Sequence, residues 1–351
     1  MMKKFMSVIM AAFLAVMGLS ACGNGAAASN DGKLSIVTTI FPEYDWVENI
    51  LGDNAANAEV TMLLDNGVDL HSYQPTADDI LKISTCDVFI YVGGESDEWV
   101  EDALQEAVNK DMIVINLLDE LGDSVKEEEV VEGMQEEHEH EHHHDGDDED
   151  EDHDHHDEDE DEEHEHHHEE GETEYDEHVW LSLRNTAILV DCIADALSKA
   201  DPSNAAAYFA NADAYREKLN DLDRKYEEAV AGASKDTVLF GDRFPFRYLT
   251  DDYGLNYYAA FVGCSAESEA SFETITFLAG KVDELGLGAV LTIEGKDHRI
   301  AETVVENTAS GDQKILTLDS MQSVTGEDVA NGVTYLSIME ENLNVLKEAL
   351  N

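Results

Sequence analysis

Basic residues are scarce in this chain. Only 20 Lys and Arg face 80 Asp and Glu in 351 positions, for a formal net charge of −60 at pH 7. Binding along a nucleic-acid backbone, or to an anionic membrane through a polybasic patch, requires clustered Lys and Arg, so the composition excludes both. Two catalytic signatures are absent as well: no HExxH helix and no GxSxG nucleophile elbow occurs. No CxxC pair is found among the 4 cysteines, and no apolar run beyond the N-terminus is long enough to span a bilayer. The length and a hydrophobic content of 43% nevertheless suffice for two domains with proper cores.

The N-terminus reads as an address. Lys3 and Lys4 precede a mostly apolar run from Phe5 to Met17, which ends in Leu19-Ser20-Ala21-Cys22. The run has signal-peptide length and falls short of the ~20 residues a spanning helix needs. Small residues before Cys22 resemble a bacterial lipobox, which makes residues 1–21 a signal peptide, Cys22 a lipidation site and residues 22–33 a tether. A diacylated Cys22 would hold the protein outside the cytoplasmic membrane, because two acyl chains anchor stably where one does not. Cys86, Cys192 and Cys264 then remain, an odd number. At least one is expected to be unpaired, and buried thiols acting as small hydrophobes are the expectation for most of them.

Short β-branched runs alternate with helical periodicity from residue 34 onward. Strands are expected at Leu34 to Thr38, Glu59 to Met62, Val88 to Val92 and Met112 to Asn116, with helices at Thr76 to Ser84 and Ser96 to Asn109 and another having Pro42 in its first turn. A second series follows. It places strands at Thr237 to Phe240, Asn256 to Phe261, Ala289 to Ile293 and Lys314 to Leu318, and helices at Phe244 to Asp252, Ala270 to Leu285, Asp297 to Thr308 and Val329 to Leu350. The βαβα order implies an α/β fold of two lobes (34–184 and 232–351), each with a parallel sheet. The stretch 185–231 between them is helical, broken by the stop and N-cap signal at Asp201-Pro202-Ser203. Its Tyr208, Tyr215, Leu219, Leu222 and Tyr226 fall at helical spacing, as core packing requires. A helix of 27 residues is ~40 Å long and would brace both lobes around a cleft, where sheets of this kind bind ligands.

Histidine is distributed unevenly. Residues 136 to 177 hold 26 acids and 12 of the 15 His, with no Lys or Arg. These are His138, His140, His142, His143, His144, His153, His155, His156, His164, His166, His167 and His168. The window has nothing apolar to bury, so a disordered insert spanning about 124–177 is expected, gathering metal at low affinity. A merely solubilising tract would need no His. Two of the three other histidines sit on loops at lobe edges. His71 lies in Gly67 to Pro75 (GVDLHSYQP) and His178 in Tyr175 to Leu181 (YDEHVWL), positions that suit a metal ligand better than a core side chain.

The segments Gly67…His71-Ser72-Tyr73-Gln74-Pro75 and Asp176-Glu177-His178-Val179-Trp180-Leu181 resemble the first two ligand motifs of the zinc and manganese solute-binding lipoproteins of bacterial ABC importers. Zinc-specific members often carry a His- and acid-rich loop just before the second motif, where this insert lies. The likeness covers essentially the whole mature chain. It implies metal held in the interlobe cleft, extracytoplasmic capture and delivery to a membrane permease with its cytoplasmic ATPase, no enzymatic activity, and a monomer. The family's third ligand falls on Arg243, a guanidinium that cannot coordinate a cation. Asp242 is the nearest alternative, unless three protein ligands and water suffice. Glu294, at the end of Val290 to Glu294, matches the fourth ligand, with Asp297 and His298 in reserve. The competing reading of Glu294 is a helix N-terminal acid. The resemblance therefore implies metal ligands His71, His178, Asp242 and Glu294.

Zinc accepts imidazole and carboxylate in fourfold coordination, whereas manganese favours more oxygen donors. A set of two His and two carboxylates suits either, and the insert tips the expectation to Zn2+ over Mn2+. A secreted metallohydrolase and a metal buffer or adhesin without a transport partner are the alternatives of other classes.

Overall fold

A computed structural model describes residues 33–135, 174–265, 269–295 and 297–351. Cys22 and the twelve insert histidines, from His138 to His168, lie outside the described residues. Two four-stranded, wholly parallel sheets organise the rest. The first contains β1 (Leu34–Thr38), β2 (Ala58–Met62), β3 (Val88–Tyr91) and β4 (Ile113–Asn116) in the order β2-β1-β3-β4. The second contains β5 (Thr237–Phe244), β6 (Asn256–Val262), β7 (Ala289–Thr292) and β8 (Lys314–Thr317) in the order β6-β5-β7-β8. The same α/β plan thus occurs twice, once in each lobe, with β1 and β5 each followed by a crossover to a neighbouring strand, as parallel pairing requires.

Near-continuous apolar runs mark strands covered on both faces. Val88, Phe89 and Ile90 of β3 are fully buried, as are Phe240 of β5 and Val290 of β7. Helix α1 (Phe41–Leu51) starts with Pro42 in its first turn, where the missing N–H costs nothing. Helix α2 (Ala77–Thr85) is capped by Thr76, whose hydroxyl accepts from Asp79 N while Asp79 reaches back to Thr76 N.

The brace is a helical pair. Helix α5 (Leu183–Ala200) packs along α6 (Ala205–Ala231), and α6 touches α1 at one end and the closing helix, here α11 (Tyr335–Ala349), toward the other. The tyrosine stripe of α6 is buried, and its hydroxyls find partners in both lobes. Tyr215 Oη donates to Asp45 Oδ2 of α1 at 3.1 Å and Tyr226 Oη to Met339 O of α11 at 2.6 Å. One apolar core runs through the whole assembly. It joins Ile36, Val37 and Phe89 of the first sheet to Phe240, Ala259 and Leu291 of the second, with Trp46, Trp180 and Tyr335 between them. A smaller cluster lies under α8 (Phe272–Leu285) and α9 (Arg299–Glu306) on the far face of the second sheet.

Several boundaries differ from the sequence reading. The strand expected to stop at Phe240 continues to Phe244, and helix α7 starts only at Arg247. Phe244 precedes Pro245, and a residue before proline is kept extended by the proline ring. Helix α3 covers only Trp99–Gln105, after a 3-10 turn at Glu95–Asp97. The last helix is two: α10 (Gly326–Ala330) ends before Gly332, whose φ of 93° breaks the helix, and α11 restarts at the Thr334 cap. The insert also begins later than the expected residue 124. Residues 125–135 form an arm laid on the second lobe, where Lys126 N donates to Tyr248 Oη at 3.0 Å and Gln135 N to Ala260 O at 2.9 Å. An antiparallel bridge between Glu127 and Tyr175 closes the base of the insert. Val125, Val131 and Met134 give this arm the apolar content that the acidic window lacks.

Burial pushes the Asp45 carboxyl up to about 6, against the opposing effect of the Tyr215 hydrogen bond. An unfolded Asp titrates near 3.9. The native state therefore binds the proton more tightly, and stability falls as pH rises from about 4 to about 6. Asp45→Asn should remove this dependence and gain on the wild type as pH rises, by up to about 3 kcal/mol at pH 7. Urea unfolding at pH 4 and pH 7 checks it; a variant that loses ground as pH rises would refute the assignment.

Candidate metal centre

Two histidines meet at the C-terminal ends of the first sheet. His71 sits on a 3-10 turn, Leu70–Ser72, reached from the end of β2. Asp69 caps the turn, its Oδ1 accepting from His71 N at 3.0 Å. His178 is fully buried at the start of the turn Val179–Leu181 and leads into α5. The Nε2 atoms of the two rings stand 3.2 Å apart. Each ring is held from behind at Nδ1. His178 Nδ1 lies 3.0 Å from Asp176 Oδ1, which also accepts from His178 N at 2.9 Å. His71 Nδ1 lies 2.7 Å from Ser96 Oγ and 3.5 Å from Glu177 Oε2. Glu177 is positioned in turn by Ser96 N, which donates to Oε1 at 2.8 Å.

This arrangement fixes the tautomer. The Asp176 carboxylate can only accept, so a neutral His178 carries its proton on Nδ1 and turns the Nε2 lone pair toward His71. Burial, and then the neighbouring His178, push the His71 pKa down to about 3. A neutral imidazole is the form that ligates metal. Burial also raises the Glu177 carboxyl above its ordinary range, and its Oε2 is buried with no hydrogen-bond donor.

The second lobe contributes the turn after β6. Cys264 follows Gly263 there, and its N–H donates to Glu128 Oε1 of the arm at 3.2 Å. One donor atom each from His71, His178 and Cys264 lie within 4.8 Å of one another. Cys86, Cys192 and Cys264 are all free thiols. Burial, followed by Glu177, Glu128 and Asp176, pushes the Cys264 thiol far up. Sequence reasoning grouped Cys264 with the bland buried thiols. The usable signal was its place, just past the end of an expected strand that closes on the cleft.

The two expected carboxylates lie elsewhere in the site's surroundings. Asp242 accepts from Ile293 N at 3.2 Å and Arg243 N at 2.9 Å, tying β5 to the end of β7. Glu294 accepts from Ser320 N at 2.7 Å, Ser320 Oγ at 2.8 Å and Gln322 N at 2.9 Å. It thereby shapes a loop in which Met321 adopts φ 66°, a strained value for a non-glycine residue. Gln322 from this loop places its Nε2 3.4 Å from His178 Nε2. Neither carboxylate joins the cluster of His71, His178 and Cys264. Arg243 crosses between lobes instead, its Nη2 2.6 Å from Asp69 Oδ2. Burial alone would raise the Asp69 carboxyl, but Arg243 and His71 together outweigh this and hold it low. Asp297 pairs with Arg299 at the exposed start of α9.

Two parallel-sheet lobes braced by a long helix, with paired imidazoles where the lobes meet, define a bilobal α/β protein. A family model described as "ZnuA: Zinc-uptake complex component A periplasmic" matches residues 36–349, and the chain belongs to that family. It is 32% identical over 347 residues to the zinc-binding lipoprotein AdcA of Streptococcus pneumoniae, covering 99% of this chain and 61% of AdcA. The chain thus spans about three fifths of that relative's length. It is also 30% identical over 347 residues to the high-affinity zinc uptake system protein ZnuA of Bacillus subtilis, covering 98% of this chain and 96% of that protein. Among solved structures, the Zn(II)-bound ZnuA-like domain of Streptococcus pneumoniae AdcA superposes with a TM-score of 0.65 at 28% identity, over 91% of this chain and 99% of that one.

Gly263 has no room for a side chain. A Cβ there would meet His178 Cε1 at 2.9 Å and Phe244 O at 3.0 Å. Gly263→Ala should cost about 1–3 kcal/mol by overpacking. Gly280→Ala, within α8 and with open space around it, should instead stabilise by about 0.5–1 kcal/mol. Thermal unfolding of the two variants distinguishes a steric role from a generic glycine effect, since equal shifts of one sign would contradict it.

Proposed function

We propose that this chain captures Zn2+ outside the cytoplasm and hands it to the membrane permease of an ABC importer, as a binding component without catalytic turnover. The observation that carries the reading is the imidazole pair: two Nε2 atoms 3.2 Å apart, with both Nδ1 atoms engaged from behind. Tetrahedral zinc with Zn–N bonds of about 2.0–2.1 Å sets its nitrogen donors roughly 3.3 Å apart. The pair is therefore spaced for the ion. The named zinc proteins to which the chain is similar, and its family, support the same cargo.

Cys22 is the proposed lipid anchor, and the histidines between His138 and His168 a low-affinity metal collector. The protein is proposed to act as a monomer. No helix among the described residues is long and apolar enough to cross a membrane.

His71→Ala and His178→Ala should each weaken tight zinc binding on the order of 100-fold or more, while removal of residues 136–173 should leave one tight site. Competition titration against a chromophoric chelator measures both. Tight binding that persisted in the double His variant and vanished with the insert would place the cargo on the insert and sink the reading. Cys22→Ser should move the protein from the membrane fraction to the medium or periplasm, which fractionation and immunoblotting would show.

A further inference from the structure

Two imidazoles alone do not complete a zinc site. We infer that the third donor is the Cys264 thiolate, so that His71, His178 and Cys264 form a site selective for zinc over manganese. This rests on the reading that the paired histidines hold the cargo.

The geometry carries it. With Zn–S near 2.3 Å, a tetrahedral ion sets sulfur and nitrogen donors roughly 3.6 Å apart. The three donor atoms already lie within 4.8 Å of one another, so a movement of roughly 1 Å at one turn would close the set. The turn is well placed for this. Gly263 comes so close to His178 that a Cβ would strike its ring, and Cys264 N is held by Glu128 from the arm. The donors come from opposite lobes, His71 after β2 and Cys264 after β6, so one ion would join them.

The ligands expected from the sequence are committed. Arg243 has no lone pair to offer and is paired with Asp69. Asp242 and Glu294 already accept partly buried hydrogen bonds from backbone N–H groups, which metal binding would weaken. Cys264 gives up only its thiol proton, which passes to water as the sulfur–metal bond forms. The fourth position is left to water or to the Gln322 amide, which already faces His178. Two neutral imidazoles and one thiolate leave a net single positive charge on bound zinc, and Asp176, Glu177 and Glu128 stand around it. Thiolate is a soft ligand that favours zinc, whereas manganese favours oxygen. A sulfur donor in place of carboxylates therefore sets metal choice.

The test uses the intact chain with one equivalent of Co2+ as a spectroscopic substitute for zinc. The insert contains no Cys, so a sulfur-to-cobalt charge-transfer band in the near ultraviolet reports a cysteine wherever else cobalt binds. The band is expected in the wild type, lost in Cys264→Ser, and kept in the Cys22→Ser, Cys86→Ser and Cys192→Ser variants. Zinc affinity should fall on the order of 10- to 100-fold in Cys264→Ser, with a narrower zinc-to-manganese ratio. Bound cobalt without the band in the wild type would overturn Cys264 as a ligand and leave the histidine pair standing. So would undiminished zinc affinity in both Cys264→Ser and Cys264→Ala. Undiminished affinity in His71→Ala would overturn the histidine reading itself. The wild-type spectrum needs no variant, so a poorly folding substitution does not leave the matter open.

Discussion

Everything at the centre of this protein depends on two imidazoles whose Nε2 atoms face each other at 3.2 Å. Burial and the neighbouring ring disfavour charge on His71. The surrounding residues hold both rings in that position. Asp176 accepts at one Nδ1, Ser96 stands at the other, and Glu177 is pinned by Ser96 N to sit behind His71. The backbone conforms to the same demand. Asp69 caps the His71 turn, and Gly94 lacks a Cβ where one would strike Glu177 Oε1 at 2.4 Å. Polar residues with small tolerances thus cluster around the imidazole pair.

The lobes deliver this geometry because the brace is tied at both ends. The α6 tyrosines bury their rings along one face, and Tyr215 and Tyr226 direct their hydroxyls to α1 and α11, so the helix fixes distance as well as contact. Ion pairs along its outer face, such as Arg216 with Asp191 and Asp213, are exposed and contribute little. The buried phenols and the apolar stripe carry the joint.

Legibility in the sequence followed the physics of each feature. Parallel strands such as β3 announce themselves, because burial on both faces leaves a continuous apolar run. Helix caps and the Asp201-Pro202-Ser203 break were visible for the same local reasons. His71 and His178 stood out by exclusion, once the insert had claimed the other histidines but His298. What stayed hidden was non-local. The carboxylates of Asp242 and Glu294 carry the right chemistry in the right neighbourhood, yet their partners (Ile293 N, Ser320, Gln322) are set by tertiary register. Cys264 carries no motif at all; only the fold brings it beside His178. The arm at 125–135 was lost in the glare of the acidic run, although Val125, Val131 and Met134 were there to be weighed.

The apolar core that passes unbroken from one sheet to the other bears on how the ion leaves. In a protein whose lobes swing apart on a flexible strap, the surfaces that part are wet and polar. Here a wide swing would carry Trp46, Trp180 and Tyr335 toward water, and each large side chain exposed costs about 1.5–3 kcal/mol. The Tyr335 hydroxyl bonded to Trp180 O at 2.7 Å would be lost with them. A small displacement of the Gly263–Ser265 turn at the rim leaves those three side chains covered, whereas the His71 turn is anchored in the same core by Leu70. For the proposed cargo role, unloading by movement of the Gly263–Ser265 turn therefore costs less than unloading by hinge, and a docking partner would need to supply only the energy of that turn.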